Sequence, residues 1–268
     1  MRKERNVLGI IVRNVSKTFY TKERSVHALG KVDFTVNKGE ILCVLGPSGC
    51  GKSTLLNIIA GLEKPSEGTV IIDGKEVKGV GPDRLIISQE LALFPWLRVL
   101  ENVEFGMKMN NIPKHERRER ALEYLRLVNL EKFQRAYIHQ LSGGMKQRVA
   151  LARALALDSD ILLMDESLAS LDNQTKNAIL QEIQHIWMIT KKTIIFVTHC
   201  VEEALMLADK VIVMSGSPGR IKEEICIELD RPRMPREMNS DYFMKMLKSF
   251  KNEEGYGEEP EFLDCMDL

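Results

Sequence analysis

A glycine-rich loop between an apolar run and a helical pattern is the most informative feature of this sequence. The segment Gly46–Thr54 reads Gly-Pro-Ser-Gly-Cys-Gly-Lys-Ser-Thr and fits the pattern GxxxxGK followed by Ser or Thr. The run Ile41–Leu45 precedes it, and apolar residues follow at helical spacing, namely Leu55, Leu56, Ile59 and Leu62. The free N–H groups and positive dipole end of a helix start attract a polyphosphate. The order of strand, loop and helix therefore predicts a nucleotide-binding P-loop.

Each residue type in this loop suits a triphosphate. Glycines at positions 46, 49 and 51 let the backbone curl close to the ligand without a Cβ clash. Lys52 adds a positive charge for the β- and γ-phosphates, and Ser53 offers a hydroxyl to Mg²⁺. The expected nucleotide-binding residues of the loop are Gly46, Pro47, Ser48, Gly49, Cys50, Gly51, Lys52, Ser53 and Thr54.

Three further apolar runs end in polar side chains that suit phosphoryl transfer to water. These runs and their polar ends are Leu85–Ser88 with Gln89, Ile161–Met164 with Asp165 and Glu166, and Thr193–Thr198 with His199. Ligands of open parallel sheets lie beyond the carboxyl ends of the strands. If the runs are neighbouring parallel strands, their polar ends and the P-loop share one crevice.

The polar ends have distinct expected roles in such a crevice. Asp165 is expected to hold Mg²⁺, directly or through water, and Gln89 to sense the metal and the water. Glu166 is expected to polarise the attacking water, and His199 to contact the γ-phosphate. The expected catalytic set is Glu166, His199, Gln89 and Lys52, and the expected metal set is Ser53, Gln89 and Asp165.

A second phosphate-binding helix start is predicted at Leu141–Arg148, which reads Leu-Ser-Gly-Gly-Met-Lys-Gln-Arg. Ser142 is a natural N-cap for a helix that runs towards Leu157. Cations such as Lys146 and Arg148 are mildly unfavourable near the positive end of a helix, and an arriving anion would relieve that misfit. Because the P-loop already supplies a helix start for its own nucleotide, this second one suggests the nucleotide of another subunit.

The sequence pattern also predicts some of the strands and helices that must position these side chains. Residues 8–40 and 66–80 read as short strands and turns, with turn signals at Asn37–Gly39 and Asp73–Gly74. Helical periodicity covers His115–Asn129, where Ala121, Leu125 and Val128 share one side, and it recurs over residues 174–189.

The composition limits the class of protein. Lys and Arg total 38 and Asp and Glu total 38 in 268 residues, which argues against nucleic-acid binding through a basic surface. The five cysteines show no CxxC pair or metal spacing and read as reduced thiols of a cytosolic protein. No apolar stretch approaches the ~20 residues of a membrane span. If the chain serves transport, another protein must form the path.

In order and spacing, these motifs resemble those of the ATP-binding subunit of ABC transporters. The segments that look like its Walker A, Q-loop, signature, Walker B, D-loop and H-loop motifs are, in that order, Gly46–Thr54, Gln89, Leu141–Arg148, Ile161–Glu166, Ser170–Asp172 and His199. The resemblance implies an α/β fold of the P-loop NTPase type. The ABC ATPase core would carry an antiparallel β-subdomain and an α-helical subdomain.

The resemblance also implies how the chain is divided. It covers residues 8–230 as an ABC ATP-binding domain, with the helical subdomain at about residues 93–156. Residues 231–268 would form a C-terminal tail with a short amphipathic helix, for which Ser240 is the expected cap, and an acidic end at 252–268.

A homodimer with two composite ATP sites is a further implication. Each site would lie between the P-loop of one subunit and Ser142, Gly143 and Gly144 of the other, with Asp172 at the dimer seam. ATP and Mg²⁺ are the implied cofactors. Phe19 stands where the family places an aromatic ring that stacks on adenine, and Tyr20 is the alternative.

A narrower likeness points to one branch of importers. The segments that look like the nitrate/sulfonate/taurine branch are Leu93–Leu97, Glu101–Val103, and Ser217–Ile221 followed by Arg231–Arg233. The implied function is to bind and hydrolyse ATP at the cytoplasmic face of the membrane, as a peripheral subunit. It would power integral permease subunits and, indirectly, serve an extracytoplasmic solute-binding protein. The surface at Phe94–Leu97 is read either as a permease contact or as local core packing.

Three residues depart from the motifs of the family, and a second class of function is also considered. Ser167 stands where many relatives have Pro, Cys200 where Asp is common, and Ser88 where Phe is common. None of these changes removes a catalytic group. The alternative function is a soluble ABC-type ATPase that acts as a non-transport switch. Such proteins often carry two cassettes or a long insert, so the single cassette here favours transport.

Overall fold

The computed structural model describes residues 8–20, 24–168 and 171–234. These residues divide into two compact units. The first unit contains the described residues up to Gly81 and from Lys191 onwards, and the second contains those of Pro82–Thr190. The expected D-loop residue Ser170, the short helix after Ser240 and the acidic end 252–268 lie outside the described residues.

An antiparallel sheet lies in the first unit. Its strands are β1 (Leu8–Tyr20), β2 (Ser25–Asn37), β4 (Glu67–Ile72) and β5 (Lys75–Glu76), arranged in the order β2-β1-β4-β5. β1 and β2 are 13 residues long each, so the expectation of short strands is wrong for them. Register shifts along their ladder break the two-residue alternation that reveals a long strand in a sequence.

Both predicted turns of this sheet are present. Asp73 and Gly74 join β4 to β5 with φ angles of 48° and 78°. After β2, the N–H of Glu40 donates to the carbonyl of Asn37 at 3.1 Å, and Gly39 has a φ of 73°. Asp and Gly reach such left-handed angles at low cost, which is why their positions predict turns.

A group of mainly parallel strands forms the core of the first unit. They are β3 (Ile41–Leu45), β8 (Thr193–Thr198), β9 (Lys210–Met214) and β10 (Ile221–Cys226). β3 pairs in parallel with both β8 and β9, and β10 is antiparallel to β9. Every residue of β3 and β8 is buried, as is typical of parallel strands covered on both faces. The bounds of β3 and β8 are those that the sequence predicted.

Two helices cover these strands. α1 (Lys52–Ala60) packs against β8, and α6 (Val201–Leu207) packs against β3 and β8. The expectation that Leu62 continues the apolar side of α1 is wrong, because the helix has already ended. Gly61, with a φ of 80°, caps its C-terminus, and Leu62 is 58 % exposed.

Two arginines tie the segment after β10 to the first unit. Arg233 is 3 % exposed and donates to the carbonyls of Leu205 and Ala208 at 2.6 and 2.7 Å. Arg231 forms an ion pair with Asp209. Since the carbonyls at the end of α6 lack helical partners, the guanidinium of Arg233 satisfies groups that would otherwise need another donor.

The described residues of the second unit combine two parallel strands with four α-helices. These elements are β6 (Arg84–Ile87), β7 (Ile161–Asp165), α2 (Val99–Met109), α3 (Lys114–Leu127), α4 (Gly143–Ala156) and α5 (Asn173–Thr190). α2, α3 and α4 pack on one another. Ala121, Leu125 and Val128 are all buried, so the predicted apolar side of α3 is confirmed. None of the helices in the described ranges is long and apolar enough to cross a membrane.

Candidate functional site

The predicted P-loop leaves β3 and enters α1 as expected. Gly51 is the N-cap of α1 and has a φ of 95°. A Cβ at Gly51 would lie 2.6 Å from the carbonyl oxygen of Ala28, so only glycine fits there. Gly49, with a φ of 77°, has open space around it. Ser48, Gly49 and Ser53 are exposed, which leaves the mouth of the loop accessible.

Lys52 folds back over the start of this loop. Its side chain is buried, and its Nζ donates to the carbonyls of Gly46 and Pro47 at 2.8 Å each. The first turn of α1 carries no acidic residue. A full positive charge therefore lies beside a helix N-terminus whose dipole is also positive, and both favour a bound anion.

Backbone from three parts of the first unit meets behind the loop. The N–H of Gly219 donates to the carbonyl of Ala28 at 3.1 Å, and its carbonyl accepts from Gly30 at 2.9 Å. A Cβ at Gly219 would lie 1.9 Å from the carbonyl oxygen of Cys50. Cys50 is itself buried, so its side chain packs inside the loop.

His199 lies at the same end of the parallel strands as the P-loop. Leu45, the last residue of β3, pairs with Thr198, the last residue of β8. The sequence prediction that these two strand ends are neighbours is confirmed. The turn after His199 is held by Thr198, whose Oγ1 accepts from the N–H of Cys200 at 3.0 Å.

Sequence reasoning missed the carboxylate that supports this turn. Glu203 is 4 % exposed on α6, and its Oε2 accepts from Thr198 Oγ1 at 2.5 Å. The Sγ of Cys200 donates to Glu202 Oε2 at 2.9 Å. A buried acid on a short helix has no local signature, because only the packing of α6 on β8 brings it to Thr198.

The second unit gathers the other polar strand ends. β6 and β7 are parallel, and Ile87 pairs with Met164. Gln89 therefore follows its strand at the same end as Asp165 and Glu166. Gln89 is exposed, whereas Asp165 and Glu166 are half-buried.

Glu166 is held in an unusual backbone conformation. Its φ is 39°, in the left-handed region that a non-glycine residue enters at a cost on the order of 1 kcal/mol. Such strained residues cluster at functional sites. The next residue, Ser167, is 4 % exposed, and its Oγ has no hydrogen-bond partner among the described residues.

The helix start predicted at the signature is present. Ser142 is the N-cap of α4, and its Oγ accepts from the N–H of Met145 at 3.3 Å. Ser142 and Gly143 are exposed, whereas Gly144 is buried. A Cβ at Gly144 would lie 2.4 Å from Cγ2 of Thr175, so this glycine permits close packing of α4 on α5.

Asp172 directly precedes α5. Its Oδ1 accepts from the N–H of Thr175 at 2.9 Å. Hydrogen bonds from the Thr175 side chain and backbone lower the pKa of the exposed Asp172 carboxyl. The second unit thus brings Gly144 and Asp172 to the same residue, Thr175.

Arg148 already has an internal partner. Its Nε lies 3.1 Å from Oε2 of Glu182 on α5. Burial raises the pKa of the Glu182 carboxyl, and the nearby Arg148 and His185 oppose that rise. Arg148 therefore takes part in the packing of α4 on α5. The expectation that an anion binds at this helix start stays a prediction.

An aromatic and basic surface lies elsewhere in the second unit, around Phe94–Leu97. Trp96 is 70 % exposed, and its ring centroid is 5.5 Å from that of Phe94. The fully buried Asn102 fixes this loop, since its Oδ1 accepts from Phe94 N at 2.9 Å and its Nδ2 donates to Leu97 O at 3.2 Å. A cavity of about 390 Å³ adjoins Trp96. Its charged lining is Arg98, Glu101, Glu104, Lys108, Lys114, Arg117, Arg118 and Arg135.

The two rings proposed for adenine differ in exposure. Phe19 is 37 % exposed and Tyr20 is 81 % exposed, and both lie at the end of β1. Lys17 Nζ lies 4.8 Å from the centroid of the Phe19 ring.

Comparison with known proteins places the chain in a family. The model of the ABC transporter family matches residues 29–169. The chain is 49 % identical to the uncharacterized ABC transporter ATP-binding protein MJ0412 of Methanocaldococcus jannaschii, covering 94 % of this chain and 95 % of that protein. It is 48 % identical to the taurine import ATP-binding protein TauB of Pelagibacter ubique, over 80 % of this chain and 82 % of that protein. It is 45 % identical to the nitrate import ATP-binding protein NrtD of a Synechocystis strain, over 81 % of this chain and 82 % of that protein.

Solved structures agree with these relatives. The dimeric structure of MJ0796, a bacterial ABC transporter cassette, is 35 % identical, with a TM-score of 0.74, and covers 82 % of this chain and all of that one. A post-hydrolysis dimer of the same cassette bound to ADP and Pi has a TM-score of 0.72 at the same identity and coverage. The predicted ABC ATPase fold and the nitrate/taurine branch are confirmed. The chain therefore belongs to the ABC transporter family, as an ATP-binding subunit with ATPase activity.

Proposed function

We propose that this chain powers a membrane importer for nitrate, a sulfonate, taurine or a related small solute. The observation that carries the proposal is its identity of 45–48 % to proteins named for taurine and nitrate import, over about four-fifths of the chain. The matches give no support to the alternative of a soluble, non-transport switch.

In this proposal the triphosphate binds at the start of α1. Lys52 and the backbone N–H groups of Gly49–Thr54 contact the phosphates, and Phe19 stacks on adenine. Glu166 polarises the attacking water and His199 contacts the γ-phosphate. The parallel pairing of β3 with β8 supports the joint action of the P-loop and His199, because both follow the carboxyl ends of those strands.

Mg²⁺ fits the residues proposed to hold it. Ser53, Gln89 and Asp165 supply hydroxyl, amide and carboxylate oxygens, which are the ligands that Mg²⁺ prefers. Ser53 and Gln89 are exposed and Asp165 is half-buried at the end of β7. When bound, the ion neutralises charge on the β- and γ-phosphate oxygens.

A homodimer with two composite ATP sites is the proposed active form. The exposed Ser142 and Gly143 at the start of α4 offer backbone N–H groups to the nucleotide held by the partner's P-loop. Asp172 completes that surface at the dimer seam, and the buried Gly144 lets the start of α4 lie close to α5. The dimeric cassette structures similar to this chain support the dimer itself.

The Phe94–Leu97 surface is the proposed contact with the permease. Trp96 offers a large exposed ring, and the charged lining of the adjoining cavity has six basic residues and two acidic ones. These features suit a short permease helix with an apolar anchor and acidic side chains. Through this contact the chain would be held at the cytoplasmic face of the membrane, while an extracytoplasmic solute-binding protein selects the solute.

Transport in proteoliposomes tests the proposal. The chain would be co-purified with candidate permease subunits and reconstituted with a candidate solute-binding protein. ATP-dependent uptake of labelled nitrate, taurine or an alkanesulfonate is the expected result. The Glu166→Gln variant, which retains nucleotide but lacks the proposed base, serves as the matched control without uptake. If neither the permease nor the loaded binding protein stimulates ATP hydrolysis, the importer function is refuted.

A further inference from the structure

A fixed ammonium group lies over one face of the Phe19 ring. Lys17 Nζ is 4.8 Å from the ring centroid, within cation–π range. The same Nζ contacts Glu63 Oε1 at 2.6 Å and donates to the carbonyl of Lys64 at 2.7 Å. The Lys17 side chain is only 12 % exposed. These contacts restrain a side chain that is flexible on most protein surfaces.

Both anchors of Lys17 belong to the segment that follows the P-loop helix. The N–H groups of Leu62 and Glu63 donate to the carbonyl of Asn57 at 2.9 and 3.2 Å, which fixes Glu63 against the last turn of α1. A continuous set of contacts therefore runs from the P-loop through α1 and Glu63 to Lys17, and from Lys17 to Phe19.

The Glu63–Lys17 contact is an ion pair rather than a neutral hydrogen bond. The hydrogen bond from Lys17 lowers the pKa of the Glu63 carboxyl, which keeps that carboxyl ionised at neutral pH. Tyr20, the other ring at this end of β1, has no side-chain partner among the described residues. Phe19 is thus the ring whose position is set by the phosphate-binding helix.

We propose that Lys17 is a positioning residue for the adenine base. It fixes Phe19 relative to the P-loop and occupies one face of the ring, so that the base stacks on the opposite face. The ammonium also draws π-electron density towards its own side, which lowers the electrostatic repulsion that a stacked purine meets on the other. This inference rests on the proposed stacking role of Phe19.

Steady-state ATPase kinetics of three variants test the proposal. Lys17→Met keeps the aliphatic stem and removes the charge, and we expect the KM for ATP to rise about three-fold while kcat stays near that of the wild type. Lys17→Arg should restore the wild-type KM, because its guanidinium can pair with Glu63 and cover the ring. Lys31→Met is the matched control, since Lys31 forms an exposed ion pair with Glu67 in the same sheet. Its KM should be that of the wild type.

A double-mutant cycle separates this inference from the function on which it rests. Phe19→Leu should raise the KM, and adding Lys17→Met to it should have no further effect. If Phe19→Leu raises the KM but Lys17→Met alone leaves it unchanged, the positioning role of Lys17 is wrong and the stacking role of Phe19 stands. If Phe19→Leu leaves the KM unchanged, the stacking role itself fails. Inhibition by inorganic tripolyphosphate, which has no base, should be equal in all variants, and a difference would contradict an effect through adenine.

Discussion

Individual residues at the nucleotide site fall into two groups by how they can be recognised. Lys52 and Gly51 are identified by local spacing, because a P-loop requires them at fixed positions between a strand and a helix. Glu182 and Lys17 are not, since each meets its partner only after distant segments pack. A pattern within a few residues cannot encode such contacts, so the sequence predicted the first group and missed the second.

The strained Glu166 gives a prediction at this scale. Glu166→Gln should retain ATP binding and lower kcat by at least two orders of magnitude, because the amide cannot accept a proton from water. The variant should accumulate as an ATP-bound dimer in size-exclusion chromatography. Lys52→Ala is the contrasting variant, since it should lose nucleotide binding along with turnover. Wild-type turnover in Glu166→Gln would rule out this residue as the base.

The bounds of helices and strands were predicted well where the burial pattern is regular, and poorly where the strand register shifts. β3, β8, α3 and α5 agree closely with their predicted bounds, because continuous burial or a 3.6-residue period marks them. The length of β1 was not predicted, because its shifts hide the alternation. The packing of α4 on α5 also carries no sequence signal, although it joins the two predicted site elements of the second unit.

Close packing at Gly144 gives a prediction about these two helices. Gly144→Ala places a methyl group 2.4 Å from Thr175 Cγ2, and such overpacking should lower the free energy of unfolding by about 1–3 kcal/mol. Thr175→Ser removes that methyl group and keeps the hydroxyl that bonds to Asp172. Adding it to Gly144→Ala should restore most of the stability measured by urea denaturation. A double variant no more stable than Gly144→Ala would show that the helices do not meet at this point.

The salt bridge between α4 and α5 gives a pH-dependent prediction. Because burial raises the pKa of Glu182, the folded state binds the proton more tightly than the unfolded state. The contribution of Glu182 to stability is therefore largest below its ordinary pKa, and it declines as the pH rises through the higher folded-state value. Glu182→Gln should remove this component, so the free energy of unfolding of the variant relative to the wild type should increase as the pH rises above the ordinary pKa of a glutamate. The free energies of unfolding would be measured by urea denaturation at each pH. A difference between the two proteins that stays constant as the pH rises would contradict this prediction.

At the scale of the whole molecule, the matches to known proteins establish the family, whereas the contacts with a second subunit and with a permease are proposals. The matched motifs run in one order along most of the chain, which is why the resemblance alone predicted the fold and the importer branch. The domain boundaries at 8–230 and 93–156 stay predictions, as does the tail beyond residue 230. The surface proposed to contact the permease was only partly predicted. Pro95 and Trp96 are visible in the sequence, whereas the basic cavity forms only when α2 and α3 pack.

Trp96 gives a prediction that separates transport from hydrolysis. Trp96→Ala should leave the ATPase activity of the free subunit unchanged, because the ring belongs to the proposed permease contact. It should lower co-purification with the permease and ATP-dependent uptake by at least ten-fold, as expected for an exposed aromatic anchor. Met109→Ala offers a matched control, since Met109 is also an exposed apolar residue of the second unit. Normal uptake by Trp96→Ala would place the permease contact elsewhere.

The close approach of Gly219 to Cys50 predicts where mutations that abolish uptake should occur. Position 219 carries no reactive group and is far along the chain from Lys52, yet any side chain there would displace the backbone that supports the loop. A genetic screen for cells that no longer take up the solute should therefore recover changes at Gly219 together with those at Gly51. Such alleles are explained by the buried position of Gly219 behind the loop, since residue 219 lies outside the sequence of the loop itself.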